Sequence, residues 1–152
     1  MQYDTLFVGI DFSKLKYDIA IVNEHKKMMH KLFVIRYNRQ GYQYLINKFD
    51  YLNQKYQTNM FKIGKEATDD YWKNIFYFLK EQSPDFAVTV INPIQTKAFA
   101  KTELRRAKTD PINAKEIALF MAEKKPAPTV DKLPIFDRIK DIDTQIYAIK
   151  KI

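Results

Sequence analysis

Cysteine is absent from the 152-residue chain, which excludes a disulfide framework, a thiolate zinc site and thiol redox chemistry and is compatible with a reducing, intracellular home. Glycine is scarce too. The three present, Gly9, Gly41 and Gly64, are too scattered to form a phosphate-cradling loop. The two histidines, His25 and His30, sit in or beside a predicted turn with no partner at ligand spacing, so no histidine metal site is expected. No apolar run approaches the ~20 residues a membrane span needs. The opening MQYDTLFVGID also lacks a basic region followed by an apolar signal core, so a cytoplasmic protein with no membrane partner is expected. Acid is in deficit as well: 18 Asp and Glu stand against 26 Lys and Arg, a net charge of +8 that favours a polyanionic partner such as nucleic acid. An AT-rich genome is the bland source of the same Lys, Ile, Asn, Tyr and Phe bias.

What is present is core-forming material. Hydrophobic residues make up 46% of the chain, with 11 Phe and 10 Tyr, enough for one packed domain. Three strands are predicted over Thr5–Phe12, Tyr17–Asn23 and Met28–Ile35, each rich in β-branched or aromatic residues and joined by polar turns. Asn38 caps a predicted helix from Arg39 to Tyr56, apolar at Tyr42, Leu45, Ile46, Phe49 and Leu52. A strand over Met60–Lys65, a helix from about Thr68 to Gln82 and an apolar strand, FAVTVI, over Phe86–Ile91 follow. Asn92-Pro93 opens a further helix, and a last one runs from Asp110 or Pro111 to about Glu123. The order βββαβαβαα is that of a ribonuclease-H-like α/β fold with a mixed five-stranded sheet flanked by helices. The reading divides the chain into a domain over 1–125, an exposed linker over 126–133 and a C-terminal helix over 134–152. In that helix Ile135, Ile139, Ile142, Ile146 and Ile149 recur at spacings of 4, 3, 4 and 3, a short coiled-coil-like seam for oligomerisation or for packing on the chain's own core.

Carboxylates end two of the apolar strands. Asp11 closes FVGID and Glu66 closes FKIGKE, where a buried charge costs several kcal/mol unless it is paired or binds a metal. If the first and fourth strands are neighbours, the two acids lie side by side. Asp110 and Asn113, read as an i, i+3 pair on the last helix, would bring two more oxygen donors to them. Such a cluster suits Mg²⁺ or Mn²⁺ and phosphodiester cleavage or transfer. Singly, each residue also has a structural role open to it: Asp11 and Glu66 as turn formers, Asp110 as a helix cap.

The matching stretches VGIDFSKLKYDIAIV, FVIRYNRQGYQYL, KEATDDYW and, most specifically, VINPIQTKAFAKTELRRAKTDPINAKEIALFMA occur in order over about Leu6 to Pro128. In these the chain resembles the N-terminal RuvC-like domain of transposases of the insertion sequence 110 family. The resemblance implies a DEDD metal site for Mg²⁺ or Mn²⁺ at Asp11, Glu66 and Asp110, with the fourth acid replaced by Asn113. It also implies DNA transposition and recombination by strand transfer, DNA as substrate, a bridge RNA as guide, and a homo-oligomer. Asn113 removes one negative charge, so weakened metal-dependent activity is expected. Asp69, where the family usually has Gly, adds an acid nearby and is read as a surface charge. Family members continue through a coiled-coil region into a domain with a serine nucleophile, so the chain reads as truncated before it.

Lys97, Lys101, Arg105, Arg106 and Lys108 surround the single acid Glu103 and lead to Asp110. Lys97, Lys101 and Arg105 would share a helical face able to hold phosphates, with Lys14 and Lys16 extending the patch. Tyr71, Trp72, Phe76, Tyr77 and Phe78 cover more than one helix face and divide between core and contact surface. An alternative function is a catalytically inactive relative that binds nucleic acid or a full-length transposase. GIDFSKLKYDIAIV also resembles the first phosphate loop of sugar-kinase-like ATPases, against which stands the lack of a second, glycine-rich phosphate motif.

Overall fold

The computed structural model describes residues 2–67, 72–104 and 112–130. Three strands, β1 (Thr5–Ser13), β2 (Lys16–Val22) and β3 (Phe33–Arg36), precede α1 (Arg39–Tyr56). Then come β4 (Met60–Glu66), α2 (Trp72–Gln82), β5 (Phe86–Ile91), α3 (Pro93–Thr102) and α4 (Ala114–Lys124). The strands form one sheet in the order β3-β2-β1-β4-β5. Pairing is antiparallel between β1 and β2 and between β2 and β3, and parallel from β1 to β4 and from β4 to β5. This is the mixed five-stranded sheet that the element order predicts.

The period of two along each strand separates two cores. Leu6, Val8 and Ile10 of β1, with Tyr17, Ile19 and Ile21 of β2, pack with Leu45, Phe49 and Leu52 of α1 and with Ile75, Phe76 and Leu79 of α2. On the other face Phe7, Ala20 and Val22 pack with Phe99 of α3 and Ile117, Ala118 and Met121 of α4. Each such large apolar side chain contributes roughly 1.5–3 kcal/mol on burial. Phe76 and Tyr77 belong to the first core, and Phe78 stacks obliquely on Tyr42 at 4.8 Å, so this part of the aromatic set is packing material. Burial pushes the Tyr42 hydroxyl pKa above the ordinary tyrosine range, leaving it neutral.

Asparagine caps three helices. The Asn38 side chain accepts from Gly41 N at 2.7 Å, Asn92 from Ile94 N at 2.9 Å and Asn113 from Glu116 N at 2.9 Å. The last of these corrects the sequence reading. The helix predicted from Asp110 or Pro111 begins at Ala114, because Asn113 has extended backbone and Glu116 Oε1 accepts from Asn113 N at 3.1 Å, completing a capping box. Asn113 therefore precedes the helix and is not the second member of an i, i+3 pair on one helical face. Two other boundaries move. The third strand starts at Phe33 instead of Met28, whose only ladder contact is an isolated bridge to Val22. The helix after Asn92 stops at Thr102, with Glu103 as C-cap, and the third member of the predicted basic face, Arg105, lies outside the described residues.

The outer edge of β5 is not bare. Thr129 N donates to Val88 O at 2.9 Å, Val90 N to Thr129 Oγ1 at 2.8 Å, and Thr89 Oγ1 to Ala127 O at 3.2 Å. The exposed stretch after α4 is thus tied along the sheet edge, which blunts a strand otherwise open to foreign pairing. Among the described residues no helix is long and apolar enough to cross a membrane. The Ile135–Ile149 seam lies outside the described residues.

Candidate metal and nucleic-acid site

The parallel register pairs Gly9 with Gly64 and Ile10 with Lys65, so one residue further on Asp11, two residues before the end of β1, and Glu66, the last residue of β4, lie at the same level of neighbouring strands. Their shared face follows from the glycines. A Cβ on Gly9 would collide with the Ala114 carbonyl oxygen and the Ala118 amide nitrogen of α4, and one on Gly64 would lie 2.6 Å from Met121 Cγ. Two residues along each strand the side chain returns to that face, so Asp11 and Glu66 both sit on the side covered by α4. Small residues at Gly9, Ala114 and Ala118 let the helix backbone lie on the strand, which sets the start of α4 close to the acids.

A third carboxylate joins this row. Asp18 is directly opposite Asp11 in the β1/β2 ladder, on the same face as the buried Ala20. Sequence reasoning passed over it, although a signal existed. The two-residue turn Lys14-Leu15 fixes the register, and both of its residues have positive φ, 48° and 63°, the backbone of a tight hairpin turn. Counting outward from that turn places residue 18 opposite residue 11.

Glu66 is only 7% exposed, and its Oε2 accepts from the hydroxyl of Thr96 on α3, itself 1% exposed. Thr96 was likewise missed, because nothing in its local sequence separates it from an ordinary helix residue. Behind the carboxylates, Lys65 is 3% exposed and its ammonium donates to Glu66 O at 3.2 Å, with the Phe12 ring centroid 5.7 Å away. Alternation puts this buried cation on the face opposite the acids.

The remaining predicted site residues divide clearly. Lys97 and Lys101 are exposed on α3, one turn apart, while Thr96 of the same helix turns inward to Glu66. Lys14 is exposed in the turn after Asp11. Asp110, Arg105, Arg106, Lys108 and Asp69 lie outside the described residues. Asn113 uses its side-chain oxygen to cap α4. His25 lies 3.8 Å from Glu24, and His30 hydrogen-bonds Lys31 O at 2.6 Å, both within the connection from β2 to β3.

In kind, these donors fit a hard divalent cation: carboxylate oxygens with an outer hydroxyl holding one of them. In number they fall short among the described residues, where no group of three or more Asp, Glu, His or Cys side chains is close enough to hold a metal ion. A third ligand would have to come from elsewhere, and Asp110 is the residue that family resemblance assigns to the task.

A mixed β3-β2-β1-β4-β5 sheet flanked by helices defines a ribonuclease-H-like fold of the RuvC type. In fold the chain is similar to the T. thermophilus RuvC in complex with Holliday junction substrate, with a TM-score of 0.50 and 14% identity over 83% of this chain and 99% of that one. The family model for DEDD transposases of insertion sequence 110, described as a transposase, matches residues 8–140, and the chain belongs to that family. It is also 26% identical over 145 residues to the pilin gene-inverting protein of Moraxella bovis, covering 95% of this chain and 41% of the relative. The chain thus spans about two-fifths of that relative's length.

Proposed function

We propose that this domain is the metal- and DNA-binding half of a transposase that cuts and joins phosphodiester bonds. The observation that carries this reading is the in-register placement of Asp11 and Glu66 on adjacent parallel strands, in a chain of the DEDD transposase family. Asp11 and Glu66, joined by Asp110, hold Mg²⁺ or Mn²⁺, which when bound supplies Lewis-acid activation of a phosphodiester. Thr96 orients the Glu66 carboxylate. Lys97, Lys101 and Lys14 hold DNA phosphates beside the acids, with Arg105, Arg106 and Lys108 extending the surface. A guide RNA and assembly of several copies through the Ile135–Ile149 seam complete the reading.

Asn113 favours a second reading, in which the chain binds nucleic acid or a fuller transposase without catalysis. The position carries a neutral amide where the family resemblance expects an acid, and its oxygen is engaged with Glu116 N. The two readings part on metal dependence. Binding of branched DNA should weaken steeply with salt, and Lys97→Ala with Lys101→Ala should reduce the log–log salt slope by about two, near one per phosphate contact. Mg²⁺ should then tighten DNA binding in the first reading and leave it unchanged in the second. An unchanged salt slope in the lysine variants removes α3 from the DNA surface.

A further inference from the structure

The outer side of α1 carries a chemistry that the carboxylate site does not use. Tyr44, Lys48, Tyr51 and Lys55 follow one another at spacings of four, three and four, so they form a single stripe along the helix. Rings and ammonium groups interleave. Lys48 Nζ lies 5.3 Å from the Tyr44 ring centroid and 6.0 Å from that of Tyr51, and Lys55 Nζ lies 5.7 Å from Tyr51 and 5.2 Å from Tyr56. Tyr44 and Tyr51 are 47% and 51% exposed, unlike the tyrosines that fill the core. The single acid of α1, Asp50, sits roughly a third of a turn away from the stripe at 3.6 residues per turn.

The stripe continues onto β3, the outermost strand on that side of the sheet. The Tyr44 ring meets Phe33 at 5.9 Å, and a shallow groove of about 190 Å³ between β3 and the start of α1 is lined by Val34, Arg36, Gln40 and Tyr44. Arg36 stands directly opposite Lys16 in the β2/β3 ladder and, alternating with the buried Ile35, lies on the sheet face of Asp18 and not on that of α1, so it is not part of the stripe. Exposed rings spaced by cations offer stacking to unpaired bases and attraction to the phosphates between them. A duplex, whose bases are already stacked, cannot use the rings in this way. The charges along the stripe equally disfavour an apolar protein partner.

We propose that this surface binds a single strand of nucleic acid, with bases stacked on Tyr44 and Tyr51 and phosphates on Lys48 and Lys55. From Tyr44 to Lys55 the stripe is about 16 Å long at 1.5 Å per residue, the reach of a few nucleotides. α1 packs on the sheet face opposite Asp11 and Glu66, so this surface stands or falls independently of the carboxylate site.

Fluorescence anisotropy of labelled oligothymidylate and oligouridylate with the 152-residue chain tests it, with a blunt duplex measured alongside. Combined Tyr44→Ala and Tyr51→Ala should weaken single-strand binding about tenfold or more, while the two Phe replacements retain it. Lys48→Gln and Lys55→Gln should each lower the log–log salt slope by about 0.7. Duplex binding should be untouched by all of them and fall with Lys97→Ala and Lys101→Ala. A preference between the two oligonucleotides identifies DNA or RNA as the strand. If the alanine variant fails to melt cooperatively, the phenylalanine and glutamine variants decide. The proposal is overturned if the parent binds neither oligonucleotide, if alanine leaves binding unchanged, if phenylalanine is as damaging as alanine, or if single-strand binding instead follows Lys97 and Lys101.

Discussion

Glu66 illustrates how one side chain is held for use. It is buried at the end of β4, where an isolated carboxylate would be costly, and the Thr96 hydroxyl from α3 holds one of its oxygens. Removing such an outer hydrogen bond typically costs 10–100-fold in metal affinity. Thr96→Val should therefore weaken Mn²⁺ binding by about tenfold or more, and Thr96→Ser should restore it; equal affinities in a Mn²⁺ titration would remove Thr96 from the site. Asn113 separates two roles that an acid at this position would combine. Asn and Asp cap helices about equally well, so Asn113→Asp should change stability by less than ~0.5 kcal/mol, whereas Asn113→Ala should cost about 1 kcal/mol. The same Asp variant should bind Mn²⁺ more tightly, through the added ligand charge. Urea melts and the metal titration together check both halves. At the β1–β2 turn, Lys14 and Leu15 hold left-handed backbone at roughly 1–2 kcal/mol per residue. Replacing them by Asn and Gly should stabilise the chain by about 1 kcal/mol in a urea melt; a loss would mean that the Leu15 side chain, about half exposed, packs more than its surroundings suggest.

At the scale of elements, α4 is the part that brings the site together. Its backbone rests on β1 at Gly9, and Gly9→Ala should cost at least the ~1–3 kcal/mol usual for overpacking, because the obstacle is helix backbone and cannot swing aside. A thermal melt unchanged by that substitution would mean α4 does not lie there. The same element shows what the sequence does and does not make legible. β1, β4 and β5 stand out because they are apolar runs with abrupt polar ends, and Asn38 and Asn92 mark helix starts through chemistry that depends only on near neighbours. At the start of α4 Pro111 suggests an upstream helix start, while the Asn113-x-x-Glu116 capping box, equally visible in sequence, is the stronger signal. Ahead of β3 the apolar Met28, Met29 and Leu32 suggest pairing that their geometry limits to a single bridge. Asp18 joins the row through the register that the Lys14-Leu15 turn sets, whereas Thr96 reaches Glu66 only through a helix crossing, which no local pattern in the chain encodes.

Across the whole molecule, one sheet presents different chemistry on its two sides. The α4 side carries Asp18, Asp11 and Glu66 in a row across three neighbouring strands, with the exposed lysines of α3 at its margin. The other side carries the larger aromatic core and, beyond it, the tyrosine and lysine stripe of α1. The β5 edge is covered by the stretch around Thr129, while among the described residues no strand pairs with the outer edge of β3. In a chain with a net charge of +8, cations accompany this row: Lys14 in the turn after Asp11, Lys97 and Lys101 on α3, and Lys65 behind it. The central claim is that Asp11 and Glu66 hold a divalent cation, and calorimetric titration of the 152-residue chain with Mn²⁺ tests it most directly. Saturable binding by the parent that is lost in Asp11→Ala and in Glu66→Gln, both still melting cooperatively, is the predicted result; no saturable binding by the parent, or equal binding in both variants, would contradict it.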